Sequence, residues 1–295
     1  MMRRLTFLVA AGLAVATAAL AASPQRIVSA GGSTTEIVVA LGARELLVGV
    51  DTTSLYPASV TELPNVGYVR QLSAEGLLSL RPDMVLAGSE AGPATALDQA
   101  RAAGVEIVTM SEGYTAETVA AHIETVGRAL GREAEAARVL DAFKSDIAAV
   151  EADIARISEK PRVLFILQTG RGASMVSGTG TAAHAMIELA GGVNAITGYR
   201  GYKPFSAEAA AIAAPDVILM TDQTVDAIGG GDSVLSAAAF AATPAGRNGR
   251  LVTMDALYLA GFGPRLAHAL HDLAVKLHPA HRFTPLPERE WTKAE

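Results

Sequence analysis

Residues 72–86 read LSAEGLLSLRPDMVL, and residues 205–219 read FSAEAAAIAAPDVIL. Ser, Ala, Glu, Pro and Asp occupy matching positions in the two stretches, always 133 residues apart. Each stretch predicts an N-cap serine, an acidic first turn, a short helix, a Pro-Asp turn and a buried strand. Chance reuse of this common α/β pattern is the alternative, but a single register for all five residues favours duplication. The sequence therefore predicts two similar α/β lobes.

Around the first copy, short apolar runs alternate with helical patterns. Ser33 and Glu36 have the spacing of a capping box, which predicts the start of a helix that Gly42 ends. Strands separated by helices indicate a parallel sheet with helices packed on its faces. The predicted strands of this lobe begin at residue 26 and span residues 46–50, 83–87 and 106–110.

One long helix is predicted between the lobes. Apolar residues recur every three or four positions across residues 133–157, with no Gly or Pro among them. This pattern predicts a helix of about 25 residues, longer than most helices of globular proteins. Lys160-Pro161 ends it, and a second α/β series follows. The predicted organisation is a signal peptide at 1–22, an N-terminal lobe at 23–132, the bridging helix at 133–160 and a C-terminal lobe at 161–295.

The first 22 residues, MMRRLTFLVAAGLAVATAALAA, have the pattern of a secretory signal peptide. Arg3 and Arg4 precede an apolar run, and Ala19-Leu20-Ala21 fits cleavage after small residues. An uncleaved membrane anchor is the alternative, but the run is short for a bilayer span. The chain contains no cysteine, so the lipid attachment of bacterial lipoproteins has no acceptor. We therefore expect an exported, unlipidated protein.

The composition excludes several classes of protein. Half of the residues are apolar, 18% are charged, and the formal net charge is -6. Without the leader, 22 basic residues stand against 30 acidic ones. A disordered chain would be less apolar, and a nucleic-acid-binding protein would need clustered positive charge to neutralise phosphates. We expect a folded protein with no nucleic-acid partner.

Catalytic motifs are weak or missing. Residues 178–183, GTGTAA, match a relaxed dinucleotide fingerprint, but no acidic residue follows at the distance that a ribose contact needs. The better interpretation is a glycine-lined N-cap for a helix over 182–190. The sequence has no P-loop, no GxSxG elbow and no HExxH motif. We therefore predict that the protein is not an enzyme.

The C-terminal histidines could form a metal site by their spacing. His268 and His271 are three residues apart, and His278 and His281 follow closely. The apolar stripe of the same predicted helix leaves His268, His271 and His278 on other faces. A solvated surface is therefore the expected environment of these histidines, with a divalent-metal carrier as the alternative.

A tyrosine and an arginine stand two residues apart in VGYVRQLSAEGLLSL, residues 66–80. Tyr68 could be an aromatic plug beside a solvated Arg70. A phenol ordinarily has a pKa of about 10, and a nearby guanidinium favours the phenolate. Phenolate is a hard anionic ligand that suits ferric iron, and tyrosine is an axial ligand in some haem proteins. The spacing alone leaves both interpretations open.

Two longer stretches carry a family resemblance. Residues 67–93, GYVRQLSAEGLLSLRPDMVLAGSEAGP, resemble the haem-binding periplasmic proteins of bacterial haem-uptake ABC transporters, the HmuT-like branch. Residues 178–219, from GTGTAAHAM to APDVIL, are similar to the second lobe of the same family. The resemblance implies an α/β fold of the class III periplasmic binding protein type, in which a single long helix joins two Rossmann-like lobes. It also implies a monomeric periplasmic carrier that binds haem in the cleft and delivers it to the permease of an inner-membrane ABC importer. An iron-siderophore or cobalamin is the alternative cargo.

The resemblance also implies roles for individual residues. Tyr68 matches the axial tyrosine of the family, and Arg70 matches the arginine that accompanies it. Glu75 and Glu208 fall where relatives place one acidic residue per lobe for docking on the permease. The alternative for both is simple stabilisation of a helix N-terminus.

The second wall of the cleft is less defined by the resemblance. Tyr202 and Lys203 could line it or contact a haem propionate. Some relatives hold a second, stacked haem through a histidine just after the first strand of the second lobe. Residues 167–170 read LQTG there, without histidine, so we expect one haem per chain.

Overall fold

The computed structural model describes residues 24–169 and 174–293. The predicted signal peptide at 1–22 lies outside these residues, as does Gly170 of the stretch without histidine. Within the described part of the chain, no helix combines the length and apolarity needed to cross a membrane.

The first lobe is a four-stranded parallel sheet with helices on its faces. The two central strands, β1 and β3, are buried along their whole length because helices cover both sides. The strand order is β2-β1-β3-β4, all parallel, as the alternating pattern predicts. The elements of this lobe are β1 (Ile27–Ala30), α1 (Gly32–Ala40), β2 (Leu47–Val50), α2 (Ala74–Ser79), β3 (Met84–Ala87), α3 (Ala94–Ala102), β4 (Glu106–Thr109) and α4 (Ala116–Leu130).

The bridging helix α5 (Glu133–Ile154) follows α4 after a turn at Gly131, which has a φ of 64°. The sequence predicted an end near residue 157, but the helix ends three residues earlier. Arg156 and Ile157 donate their N–H groups to the carbonyls of Asp153 and Ile154, three residues back. This tightening of the last turn is a common way for a helix to end.

The second lobe departs from a purely parallel sheet. Strands β9, β5 and β10 are parallel, but β6 runs antiparallel to both β5 and β8. The link from β5 to β6 is too short for a crossover helix, and only antiparallel strands can be joined so closely. The path order is β10-β9-β5-β6-β8, with β7 beside the start of β5. The elements are β5 (Arg162–Gln168), β6 (Ser174–Ser177), α6 (Ala182–Leu189), β7 (Val193–Asn194), β8 (Tyr202–Phe205), α7 (Ala207–Ala213), β9 (Val217–Thr221), α8 (Asp222–Ala227), α9 (Gly231–Leu235), α10 (Pro244–Arg247), β10 (Leu251–Met254), α11 (Ala256–Ala260) and α12 (Leu266–Leu277).

The sequence repeat is present in the structure down to single hydrogen bonds. Ser73 accepts from the N–H of Gly76, and Ser206 accepts from the N–H of Ala209. These bonds cap α2 and α7, the two helices of the repeat.

The Pro-Asp turns of the repeat are also equivalent. Asp83 accepts from the N–H of Arg26 at 3.0 Å, and Asp216 accepts from the N–H of Arg162 at 2.9 Å. The residue before each Pro-Asp pair, Arg81 or Ala214, has a positive φ, 47° and 42°. Positive φ is uncommon for residues other than glycine. Its recurrence at matching positions supports the predicted duplication.

The capping-box prediction for α1 is wrong. The helix begins at Gly32, and its N-cap is Gly31, whose φ of 133° favours glycine. Neither Ser33 nor Glu36 caps the helix. Glu36 instead faces the second lobe.

A C-terminal strap, residues 284–293, runs back along the bridging helix. Two acidic residues of α5 are almost fully buried, and both are satisfied by this strap. Asp153 accepts from the N–H of Thr284 at 2.6 Å, and Asp146 accepts two bonds from Arg289 at 2.7 and 2.9 Å.

The strap then continues to the opposite lobe. Trp291 donates its indole N–H to the carbonyl of Pro264 at 3.2 Å. The hydroxyl of Tyr56, in the first lobe, donates to the carbonyl of Lys293 at 2.6 Å. The strap is therefore a second, non-covalent connection between the lobes, alongside α5.

Candidate ligand-binding cleft

Large apolar side chains are exposed at the carboxyl ends of the strands. Leu55 and Tyr68 lie in the connection after β2, Tyr114 follows β4, and Leu167 lies near the end of β5. Their exposed fractions are 52%, 42%, 42% and 39%. Ligands of open α/β sheets bind outside the carboxyl ends of the strands. These side chains therefore mark an apolar cleft between the lobes.

The two lobes meet closely beside this cleft. The ring centroids of Tyr114 and Phe262, which belong to different lobes, are 5.2 Å apart. At Gly32, a Cβ atom would stand 2.7 Å from the side chain of Leu257, so α1 approaches α11 at its first residue. The floor of the cleft is thus built from α1, the loop after β4 and the segment from α11 to α12.

Tyr68 stands on a well-anchored loop. Its backbone is extended, and a 3-10 turn over Val69–Gln71 follows it. Val69 is buried, and its carbonyl accepts from the N–H of Gly92 at 2.9 Å. Gly67, with a φ of 99°, receives a bond from Thr52 on its carbonyl at 3.0 Å. The loop therefore holds the phenol of Tyr68 at the surface of the cleft.

Tyr202, in the second lobe, is close enough to Arg70 of the first for the two side chains to interact electrostatically. Burial raises the pKa of Tyr202, and the hydroxyl of Thr181 and the guanidinium of Arg70 partly offset this rise. The Tyr202 ring also packs 6.4 Å from Phe165. Tyr202 is therefore a neutral phenol, suited to hydrogen bonding rather than to anionic ligation of a metal.

Lys203 lies on the other face of β8 from Tyr202. Successive side chains of a strand point to opposite faces, and the Lys203 ammonium lies 4.9 Å from the centre of the Tyr199 ring. The structure therefore does not bring Lys203 together with Tyr202.

Glu75 and Glu208 lie outside the cleft, in the first turns of α2 and α7. Both side chains are exposed. The backbone N–H of Glu208 and the hydroxyl of Ser206 hold the pKa of this carboxyl below its usual value. The duplication therefore displays one carboxylate per lobe at equivalent positions.

Two features of the cleft were not predicted from the sequence. Glu36 of α1 accepts two hydrogen bonds from Arg265, at 2.5 and 2.9 Å, across a sequence separation of 229 residues. The Arg265 guanidinium also lies 3.6 Å from the centre of the Tyr56 ring and 5.0 Å from that of Tyr258. The other missed feature is the contact of Tyr114 with Phe262. A carboxylate among the apolar residues of α1 is the only local signal of the ion pair.

The C-terminal histidines do not form a metal site. Among the described residues, no three His, Cys, Asp or Glu side chains are placed to hold a metal ion. The expectation of a solvated surface is nevertheless wrong for His278. This side chain is buried, packs near Phe283 and bonds to the carbonyl of Ala190 at 3.1 Å. The apolar stripe alone could not reveal that the segment after α12 folds back over it.

The family model described as periplasmic binding protein matches residues 27–258. The chain belongs to this family. Its members are solute-binding proteins, so the prediction of a non-enzymatic protein is confirmed, and the predicted fold class of two lobes joined by one long helix is confirmed as well.

Several solved structures of haem-binding proteins are similar to this chain. The periplasmic haem-binding protein BhuT, in complex with two haems, is 46% identical, with a TM-score of 0.83 over 86% of this chain and 98% of that one. RhuT from Roseiflexus sp. RS-1, in its apo form, is 41% identical, with a TM-score of 0.83 over 87% and 98%. A periplasmic haem-binding protein from Pseudomonas aeruginosa is 36% identical, with a TM-score of 0.79 over 90% and 96%.

A more distant relative is the ABC transporter substrate-binding lipoprotein YvrC of Bacillus subtilis. It is 29% identical over 87% of this chain and 81% of its own length.

Proposed function

We propose that this periplasmic binding protein binds haem between its lobes and delivers it to an inner-membrane ABC importer. The observation that carries the proposal is the 46% identity to haem-binding BhuT across 98% of that chain. The vitamin B12-binding protein of Yersinia pestis, in contrast, is 28% identical over 59% of this chain. Cobalamin and iron-siderophores are therefore the competing cargoes.

The cleft offers the chemistry that haem requires. Exposed apolar side chains from both lobes suit a flat apolar macrocycle. In the proposed complex, Tyr68 ligates the ferric iron through its phenol oxygen, and Arg70 brings a positive charge to the same loop. Tyr202, a neutral phenol, donates a hydrogen bond to the ligand from the second lobe. For Lys203, which lies on the other face of β8 from Tyr202, contact with a propionate stays a prediction.

Absorbance spectroscopy with haemin tests the cargo and the iron ligand together. We expect the wild-type protein to form a tight complex with the spectrum of a tyrosinate-ligated ferric haem. Tyr68→Phe keeps the ring but removes the oxygen, so its haem spectrum should change and its affinity should fall. Tyr199→Phe is the matched control, because the Tyr199 hydroxyl is directed at the carbonyl of buried Val176 within the second lobe.

Two outcomes would contradict the proposal in different ways. An unchanged spectrum in Tyr68→Phe would remove Tyr68 from the iron. If the wild-type protein does not bind haemin but binds cobalamin or a ferric siderophore in a competition assay, the cargo is that ligand and not haem.

We also propose that the chain binds one haem. The relative BhuT holds two in its complex, so the count must be measured on this protein. Native mass spectrometry after titration with haemin should show a single haem per chain at saturation. A second, equally retained haem would contradict this proposal.

The mature protein is proposed to be a periplasmic monomer that has lost residues 1–22. Intact mass of protein purified from the periplasm should match a chain that begins just after the leader. Light scattering should give the mass of one chain. A retained leader or a stable dimer would overturn the corresponding part of the proposal.

A further inference from the structure

Tyr114 is a large aromatic residue that the structure leaves half open at the floor of the cleft. It lies between β4 and α4, and 42% of it is exposed. Its ring touches Phe262 of the second lobe at a centroid distance of 5.2 Å and an interplanar angle of 57°. Phe262 itself is buried. One side of the Tyr114 ring is therefore supported, while much of the rest is open.

The backbone around Tyr114 fixes this position. Gly113 has a φ of 150°, and a Cβ there would lie 2.4 Å from the Thr118 hydroxyl, so only glycine fits. Thr115 is the N-cap of α4 and accepts from the N–H of Thr118 at 3.2 Å. Tyr114 thus lies between the constrained backbone of Gly113 and the N-cap bond of Thr115. Both restrict movement of its loop.

The backbone of Phe262, in the second lobe, is also constrained. It has a φ of 50°, which is rare for an aromatic residue and concentrates at functional sites. Next to it, a Cβ on Gly263 would lie 3.2 Å from a carboxylate oxygen of Glu36. The support under the Tyr114 ring is therefore tied to the buried ion pair between the lobes.

Tyr114 also belongs to the polar group already placed in the cleft. Its phenol interacts electrostatically with Tyr202, which in turn interacts with Arg70. Tyr114 of the first lobe therefore lies near Tyr202 of the second. A ring that only filled the gap between the lobes would be buried like Phe262.

We propose that Tyr114 is a ligand-contacting residue whose ring stacks against the porphyrin macrocycle, independently of iron ligation. This inference rests on the proposed function and extends it, because it separates recognition of the macrocycle from recognition of the metal. The division predicts that a metal-free porphyrin still depends on Tyr114 but not on Tyr68.

The test titrates wild type and variants with haemin and with metal-free protoporphyrin IX. A favourable aromatic contact is worth up to about 1.5 kcal/mol, or roughly tenfold in affinity. We expect Tyr114→Ala and Tyr114→Leu to weaken both porphyrins about tenfold, and Tyr114→Phe to retain both. Tyr68→Phe should weaken haemin and spare the metal-free ligand. Tyr114→Leu keeps an apolar side chain against Phe262. Weaker binding by this variant therefore reports the loss of aromatic stacking and not the loss of the fold.

Val275→Ala is the matched control, since Val275 is similarly exposed, at 41%, but lies on α12. The inference is overturned if Tyr114→Leu, which a thermal unfolding curve shows to be folded, binds both porphyrins with wild-type affinity. It is also overturned if only haemin is weakened, which would make Tyr114 an aid to ligation. A wild-type protein that binds neither porphyrin overturns the proposed function itself, before any variant is compared.

Discussion

At the scale of single residues, the Glu36–Arg265 pair is a buried ionic contact between the lobes whose removal should be costly. Its side chains are only 4% and 11% exposed, and the two hydrogen bonds satisfy both carboxylate oxygens. Breaking a buried pair from one side leaves an uncompensated charge, which costs about 3–5 kcal/mol. Arg265→Met should therefore lower the free energy of unfolding by roughly 3 kcal/mol at neutral pH. Urea denaturation measures this.

The double variant Glu36→Gln/Arg265→Met is the control for this prediction. It removes both charges, so it should recover part of the lost stability. A single variant that loses less than about 1 kcal/mol, the level of an exposed pair, would show that the pair is not a stabilising contact between lobes.

Two buried histidines predict how stability depends on pH. Burial lowers the pKa of His122 and of His278, so both are neutral in the folded protein. The unfolded chain binds these protons near pH 6.5. Stability is therefore complete above that pH and falls as the pH drops from about 6.5 toward the lower folded-state pKa values. The double variant His122→Asn/His278→Gln should flatten this dependence in urea denaturation between pH 7.5 and 5.5, whereas an unchanged slope would assign it to other groups.

At the scale of elements, the duplicated helices α2 and α7 present the exposed carboxylates of Glu75 and Glu208. If these dock on the permease, charge reversal should abolish transport while haem binding stays intact. We expect Glu75→Lys/Glu208→Lys to lose most haem uptake in vesicles carrying the importer. Glu151→Lys, an exposed acid on α5, is the matched control. Equal uptake by both variants would leave these carboxylates as helix-terminus stabilisers only.

At the scale of the whole molecule, the bridge between the lobes is expected to be stiff. Helix α5 packs along α4 on one side and α12 on the other, and the C-terminal strap is hydrogen-bonded to two of its residues, Asp146 and Asp153. Hinge-type closure needs a few residues free to change their backbone angles. Solution scattering should therefore show no large compaction when haemin is added. A clear decrease in the radius of gyration would contradict a rigid bridge.

Local patterns predicted most of this architecture. The repeat, the strands of the first lobe and the long helix depend on residues near one another in sequence, which periodicity and capping report. The antiparallel strand β6 follows β5 after a connection too short for a helix, and the alternating pattern of strands and helices did not predict it. The Glu36–Arg265 and Tyr114–Phe262 contacts join residues more than a hundred positions apart, and no local pattern encodes such pairs. The resemblance supplied Tyr68 and Arg70 as candidates but did not predict the Tyr114–Phe262 contact.

The strap places the chain's single tryptophan, Trp291, at the seam between the lobes, where its indole is hydrogen-bonded to Pro264. Pro264 adjoins Arg265 and is two residues from Phe262, so this indole is a built-in optical probe of the cleft floor. Haem absorbs light in the region where tryptophan emits, so a haem bound between the lobes should quench Trp291 by energy transfer. Cargo loading can thus be followed as loss of native fluorescence, without a dye or a label.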